Sequence, residues 1–171
     1  MTVGQPSDVR LRFSESAIEE LIDACRRAAP FETGGLLLGV QTSDGLWITH
    51  AVEIPIETRS RRRFVIPHGS TTPTVDRFRT LDPRLGYIGD WHSHPANAGA
   101  SSLDLRTLAK LAIGSFQQRR LMAVARLDAG RWVLDLWAQG GIRLPARLDY
   151  ELTGPLASMG RVPIGRGDRR E

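Results

Sequence analysis

Gly89-Asp90-Trp91-His92-Ser93-His94-Pro95, followed downstream by Ser101-Ser102-Leu103-Asp104, is the stretch on which the reading of this chain turns. Leu85 to His92 reads as a strand running into a small-residue loop, Pro95 to Ala100. A helix is predicted from Ser102 to Ile113, with Leu105, Leu108, Ala109 and Ala112 at helical spacing. In a strand, side chains at i and i+2 point to the same side. His92 and His94 therefore present two imidazoles to one point, and the loop brings Asp104, in the first turn of the helix, opposite them. Two imidazoles and a carboxylate suit a tetrahedral zinc that keeps a fourth position for water. They also suit non-haem Fe(II) with open positions. Ser101-x-x-Asp104 reads equally as a helix capping box, a role compatible with a metal ligand.

Working outward, Val9 to Phe13 alternates as a half-buried strand does. A helix follows, capped by Ser14 or Ser16, with Ser16 and Glu19 spaced as a capping box. Ala17, Ile18, Leu21, Ile22, Cys25 and Ala28 form its buried stripe, and Pro30 ends it. Leu36 to Val40 is a strand buried on both faces. Asp44-Gly45 turns the chain into a second strand, Leu46 to Ile56, whose end Pro55 confines to an edge. Phe64 to Ile66 is a further short strand, and Val75 to Leu81 a short helix. Leu121 to Leu127 and Trp132 to Trp137 flank Asp128-Ala129-Gly130 as a hairpin. The pattern fades after Leu148, and residues 158–171 are rich in Gly and Arg.

Hydrolysis at a metal needs a base that takes a proton from water and returns it to the leaving group. Glu32 is the candidate: it lies where the first helix gives way to a buried strand, just before Gly34 and Gly35. Two residues without side chains let another backbone or a substrate approach closely. The residues alone leave Glu32 either this base or a loop carboxylate at a strand start.

Phe31-Glu32-Thr33-Gly34-Gly35-Leu36-Leu37-Leu38-Gly39, the His92-Ser93-His94-Pro95 segment and Ser101-x-x-Asp104 together resemble the JAMM motif of the JAB/MPN metalloprotease family. The resemblance implies one α/β domain of the α+β type over residues 9–148: a curved mixed β-sheet flanked by helices, cytidine-deaminase-like. It implies one zinc per chain, held by His92, His94 and Asp104. It implies that Glu32 is the general base and then the acid, and that Ser101 hydrogen-bonds the oxyanion. The activity implied is hydrolysis of a peptide or isopeptide bond at the C-terminus of a ubiquitin-like or sulfur-carrier protein. One spacing departs from the family: nine residues, not ten, separate His94 from Asp104. The shortening falls in Pro95–Ala100 and leaves Ser101 or Ser102 to supply the hydroxyl. The runner-up is a non-catalytic interaction module of the same family. A deaminase would need Pro-Cys-x-x-Cys, which this sequence lacks.

Composition sets the outer bounds. With 171 residues, 41% hydrophobic and 25% charged, the chain is neither disordered nor a coiled coil. No apolar run approaches ~20 residues, so no membrane span is expected, and Met1 to Pro6 lacks the character of a signal peptide. The single cysteine, Cys25, excludes a disulfide framework and points to the cytoplasm. It is read as packing. The net charge of +4 comes with a sequence pI near 10.2. All basic residues but Lys110 are arginine, a skew that reflects coding composition more than a nucleic-acid surface, so no specific nucleic-acid partner is expected. Arg59, Arg61, Arg62 and Arg63 form a solvated loop or a patch that steers an acidic partner. His50 and His68 are structural or surface residues, and Trp47, Trp91, Trp132 and Trp137 are core. Residues 1–8 and 149–171 are expected to be a flexible lead-in and a mobile extension.

Overall fold

The structure, a computed structural model, describes residues 10–56, 60–61, 63–113, 120–140, 144–154 and 165–166. The sheet strands are β1 (Arg10–Ser14), β2 (Gly34–Thr42), β3 (Gly45–Glu53), β4 (Gly86–His94), β5 (Arg120–Asp128), β6 (Arg131–Gln139), β7 (Ala146–Leu148), β8 (Glu151–Thr153) and β9 (Gly165–Arg166). The helices are α1 (Glu15–Ala28), α2 (Thr71–Arg79) and α3 (Ser102–Ile113). All nine strands join one sheet in the order β7-β6-β5-β4-β2-β3-β1-β8-β9. It is mixed: β4 pairs antiparallel with β2 and parallel with β5, and β1 runs parallel to β3 and β8. This is the α/β sheet flanked by helices that the motifs imply.

Alternation along the strands divides the core between the two faces of the sheet. Leu37 and Trp91, with Leu121 and Ala123, pack against Leu21, Ala24 and Cys25 of α1. The alternate residues Leu36 and Leu38 meet Val75 of α2, and Met122 and Val124 meet Leu108 of α3. The central strand β2 is buried on both faces over Gly34–Val40, as its unbroken apolar run requires. Gly35 sits there because a Cβ would lie 1.8 Å from the Val52 carbonyl oxygen. The β5–β6 hairpin turns at Ala129 and Gly130, both at positive φ, the conformation that a tight two-residue turn demands.

Three local expectations differ, and one is decided between its two alternatives. Ser14, not Ser16, caps α1: its Oγ accepts from the Ala17 N–H at 3.2 Å. The chain passes from β1 into α1 without a linker, so Ser14 is the last residue with extended backbone, and Ser16 is already helical. Strand β3 stops at Glu53, ahead of Pro55. Phe64–Ile66 is not a strand. The Phe64 ring fills the space a Gly34 Cβ would take, so this segment packs over β2 instead of pairing in the ladder. The sheet also continues past the expected boundary at 148: Glu151–Thr153 pairs with β1, and buried Thr153 accepts from Trp47 Nε1 at 2.7 Å. The lead-in at 1–8 and most of the 158–171 segment lie outside the described residues.

Candidate metal centre

The site forms where three elements end together. Strand β4 delivers His92 and His94 to the face that carries α2 and α3, while the alternating residues Trp91 and Ser93 are fully buried. The two imidazole rings lie 4.9 Å apart. Ser93 fixes the neighbouring chain: its N–H donates to the Thr33 carbonyl at 2.8 Å, and its Oγ accepts from the Thr33 N–H at 3.0 Å. With Gly34 opposite His92 in the ladder, this places Glu32 beside the histidines. Its carboxylate Oε1 stands 4.0 Å from His94 Nε2.

Helix α3 supplies the third group. Ser101 and Asp104 form the reciprocal cap: the Asp104 N–H donates to Ser101 Oγ at 3.2 Å, and the Ser101 N–H donates to Asp104 Oδ2 at 2.7 Å. The same carboxylate faces the imidazoles, with Oδ1 at 3.5 Å from His92 Nε2 and Oδ2 at 3.6 Å from His94 Nε2. Capping and facing the site are thus one geometry. The hydroxyl beside the carboxylate is that of Ser101, while Ser102 is an exposed residue of the first turn.

One ligand atom from each of His92, His94 and Asp104 lies within 4.8 Å of the others. Three observations show that they fit a metal ion. Two ligands at zinc bond lengths and a tetrahedral angle sit roughly 3.3–3.5 Å apart, close to both imidazole–carboxylate separations. His92 Nε2 is buried and has no hydrogen-bond partner among the described residues, a costly orphan that a metal would satisfy. His94 Nδ1 lies 2.8 Å from the Ala98 carbonyl. A carbonyl only accepts, so Nδ1 holds the ring proton and Nε2 turns its lone pair to the site.

The carboxylates are tuned in opposite directions. Burial pushes Glu32 upward, only partly countered by His94 and His92. Burial also pushes on Asp104, but the nearby His92 ring together with the Ser101 hydrogen bonds outweighs it and holds its carboxyl well below the ordinary range. A carboxyl of raised proton affinity beside a depressed one is an arrangement suited to proton transfer.

Asp90, one step before His92 on the same face, was not singled out from the sequence. Burial pushes it up to about 6 while it accepts from the Tyr87 hydroxyl at 2.8 Å. The Ala98 carbonyl was equally invisible, since a backbone group has no sequence signature. His50, bonded to Thr49 Oγ1 and edge-on to Phe78, and exposed His68 stand apart from the metal group. Cys25 is fully buried and hydrogen-bonded to Ser93. Of the arginine run, Arg61 lies over the Phe31 ring, while Arg59 and Arg62 fall outside the described residues.

A mixed sheet with helices on both faces and a His-x-His plus Asp group at one strand end defines an α/β protein with a candidate metal site. Comparison sharpens this. The family described as prokaryotic homologs of the JAB domain matches residues 14–135, most of the chain, and the protein belongs to that family. It is 31% identical over 110 residues to a CD-NTase/cGAS isopeptidase of Enterobacter hormaechei subsp. hoffmannii, covering 61% of this chain and 59% of that protein. A CD-NTase/cGAS isopeptidase of Pseudomonas aeruginosa is 29% identical, covering 67% of this chain and 75% of that protein. A Sinorhizobium fredii protein named probable metalloprotease y4qB is also 29% identical, with 72% and 79% covered. The solution structure of a Desulfitobacterium hafniense protein shares the fold, with a TM-score of 0.69 at 19% identity over 87% of this chain and 97% of that one. The names of the relatives support a hydrolase of the JAB family. Among the described residues no helix is long and apolar enough to cross a membrane.

Proposed function

We propose that the protein is a zinc-dependent peptidase or isopeptidase that cleaves the bond at the C-terminus of a ubiquitin-like or sulfur-carrier protein. The observation that carries this reading is a buried carboxylate, Glu32, set 4.0 Å from an imidazole of a three-ligand group. An oxygenase at Fe(II) would have no use for that base, and the relatives are named as hydrolases.

His92, His94 and Asp104 would hold the ion. Bound there, zinc supplies Lewis-acid polarisation of the scissile carbonyl and acidifies water from about 15.7 to roughly 7. Glu32 takes the proton of the attacking water and returns it to the departing amine, so that one amide and one water become one acid and one amine. Burial, which raises its proton affinity, suits it to both halves of that exchange. Ser101 Oγ already accepts from the Asp104 N–H, which leaves its own O–H to donate to the oxyanion. Glu32 also lines a cleft of about 140 Å³ walled by Ile54, Pro55 and Ile56, a path by which an extended chain can reach the base.

The test begins with elemental analysis of the untagged protein beside His92→Ala and Asp104→Ala. About one zinc in the unchanged chain and none in the variants is expected. The zinc-loaded protein should then release the tail from a C-terminal fusion to a ubiquitin-like protein, read by mass spectrometry. Iron in the site would overturn the zinc assignment. Zinc without cleavage of any ubiquitin-like or sulfur-carrier fusion would move the reading to an interaction module.

A further inference from the structure

His94 depends for its orientation on one backbone carbonyl, that of Ala98, in an exposed loop of small residues. Ala96 to Gly99 are exposed, and only Ala100 at the end of the loop packs on the core around Leu108, so something beyond those four residues must fix where that carbonyl points. The structure assigns this task to Arg126. In the parallel β4–β5 ladder Arg126 is the register partner of His94 itself. It shares a face with His94, because Val124, two residues earlier, packs on the α3 side.

Arg126 reaches the loop and an anchor at the same time. Its Nη1 donates to Asn97 Oδ1 at 2.5 Å and to Asp128 Oδ2 at 3.2 Å. Asn97 Nδ2 donates in turn to Asp128 Oδ1 at 3.0 Å, closing the ring of contacts. The guanidinium Nε donates to Asp135 Oδ2 at 3.0 Å, and Asp135 is a buried carboxylate on β6. One residue on, the Leu127 N–H donates to the Ala96 carbonyl at 3.2 Å, and that carbonyl also receives the Ala98 N–H at 2.8 Å. Ala96, Asn97 and Ala98 are thus held against β5 from both backbone and side chain.

We propose that Arg126, acting through Asn97, is a positioning residue for the metal site: it holds the Ala98 carbonyl on His94 Nδ1 and so aims Nε2. The planar fork matters, since one guanidinium must satisfy groups on the loop, the end of β5 and β6 together, which a single ammonium cannot do. The inference rests on His94 being a metal ligand.

The test is zinc affinity of the full chain, measured by competition with a chromophoric chelator, so that no turnover is needed. Outer partners of ligating histidines typically contribute 10–100-fold in affinity. Arg126→Met is expected to weaken zinc by about that factor, and Arg126→Lys not to restore it. Asn97→Ala cuts the loop link at an exposed residue and buries no orphan charge, so it stays folded; weakening of several-fold or more is expected. Arg147→Met is the control. Arg147 also pairs with Asp135 but makes no hydrogen bond or ion pair to the loop among the described residues, and its loss should leave zinc affinity unchanged. Unaltered affinity in both Arg126→Met and Asn97→Ala would overturn the proposal. So would an equal loss in Arg147→Met, which would trace the effect to Asp135. Failure of the unchanged chain to bind zinc would instead bring down the metal reading, and this inference with it.

Discussion

Glu32 is 6% exposed, and the protein keeps a carboxylate there against the cost of burying it. Because burial raises its pKa, the folded metal-free chain holds the Glu32 proton more tightly than the unfolded chain does. The sign follows: this group's contribution to stability is greatest at low pH. It falls as pH rises through the ordinary carboxylate range to the raised folded value, above which the burial cost is complete. Glu32→Gln should therefore raise the thermal midpoint of the metal-free protein at pH 7, lose that advantage as pH falls below the carboxylate range, and lower hydrolysis by about 10²–10⁴-fold. Thermal scans across pH with a cleavage assay check all three. A destabilised Glu32→Gln at pH 7 would mean that the attraction of His94 and His92 for the carboxylate outweighs desolvation. Cys25 gives a second prediction at this scale. Burial pushes its thiol up to about 12, so a thiol reagent at pH 8 should label it only after denaturant is added. These residues were legible because the rules that expose them are local: i, i+2 on a strand for His92 and His94, a reciprocal cap for Asp104. Arg126 and Ala98 were not, since their roles arise from pairing across the sheet.

At the scale of elements, strand and helix existence followed from period, and errors gathered where side-chain packing competes with the ladder. Phe64–Ile66 has strand composition, but the Phe64 ring is drawn over Gly34. Three-residue strands such as β8 are too short to show any period, so the sheet's far edge went unread. The glycines of β2 were legible as close-approach positions, yet what approaches is the protein itself. A Cβ on Gly35 meets the Val52 carbonyl at 1.8 Å, and one on Gly34 meets the Trp91 carbonyl oxygen at 2.4 Å. Gly35→Ala must part β2 from β3 beneath Glu32. We expect it to cost about 1–3 kcal/mol or more, as overpacking does, read as a lower urea midpoint at unchanged m-value. Stability within error of the unchanged chain would show that the strand pair yields more readily than this packing implies.

Across the whole molecule, the metal group sits apart from what holds the fold. The largest core lies on the opposite face, between α1 and strands β1 to β6, and none of its members is His92, His94 or Asp104. The elements carrying those ligands are already fixed by ladder bonds, by the Thr33–Ser93 pair and by the Ser101–Asp104 cap. Zinc fingers are organised differently, because there the metal supplies the folding energy and its removal unfolds the chain. Chelation should therefore leave this protein folded, with unchanged far-UV circular dichroism and a cooperative melt. Zinc should act as an ordinary ligand of the native state. At a free concentration 100-fold above its Kd it adds about 2.7 kcal/mol, which for a chain of this size raises the melting midpoint by roughly 5–10 °C. That rise should vanish in His92→Ala and in Asp104→Ala, each of which removes a ligand without opening the core. Unfolding on chelation would require the metal to tie β4 to α3 as a structural staple, in which case the variants would fail to fold in the absence of any substrate.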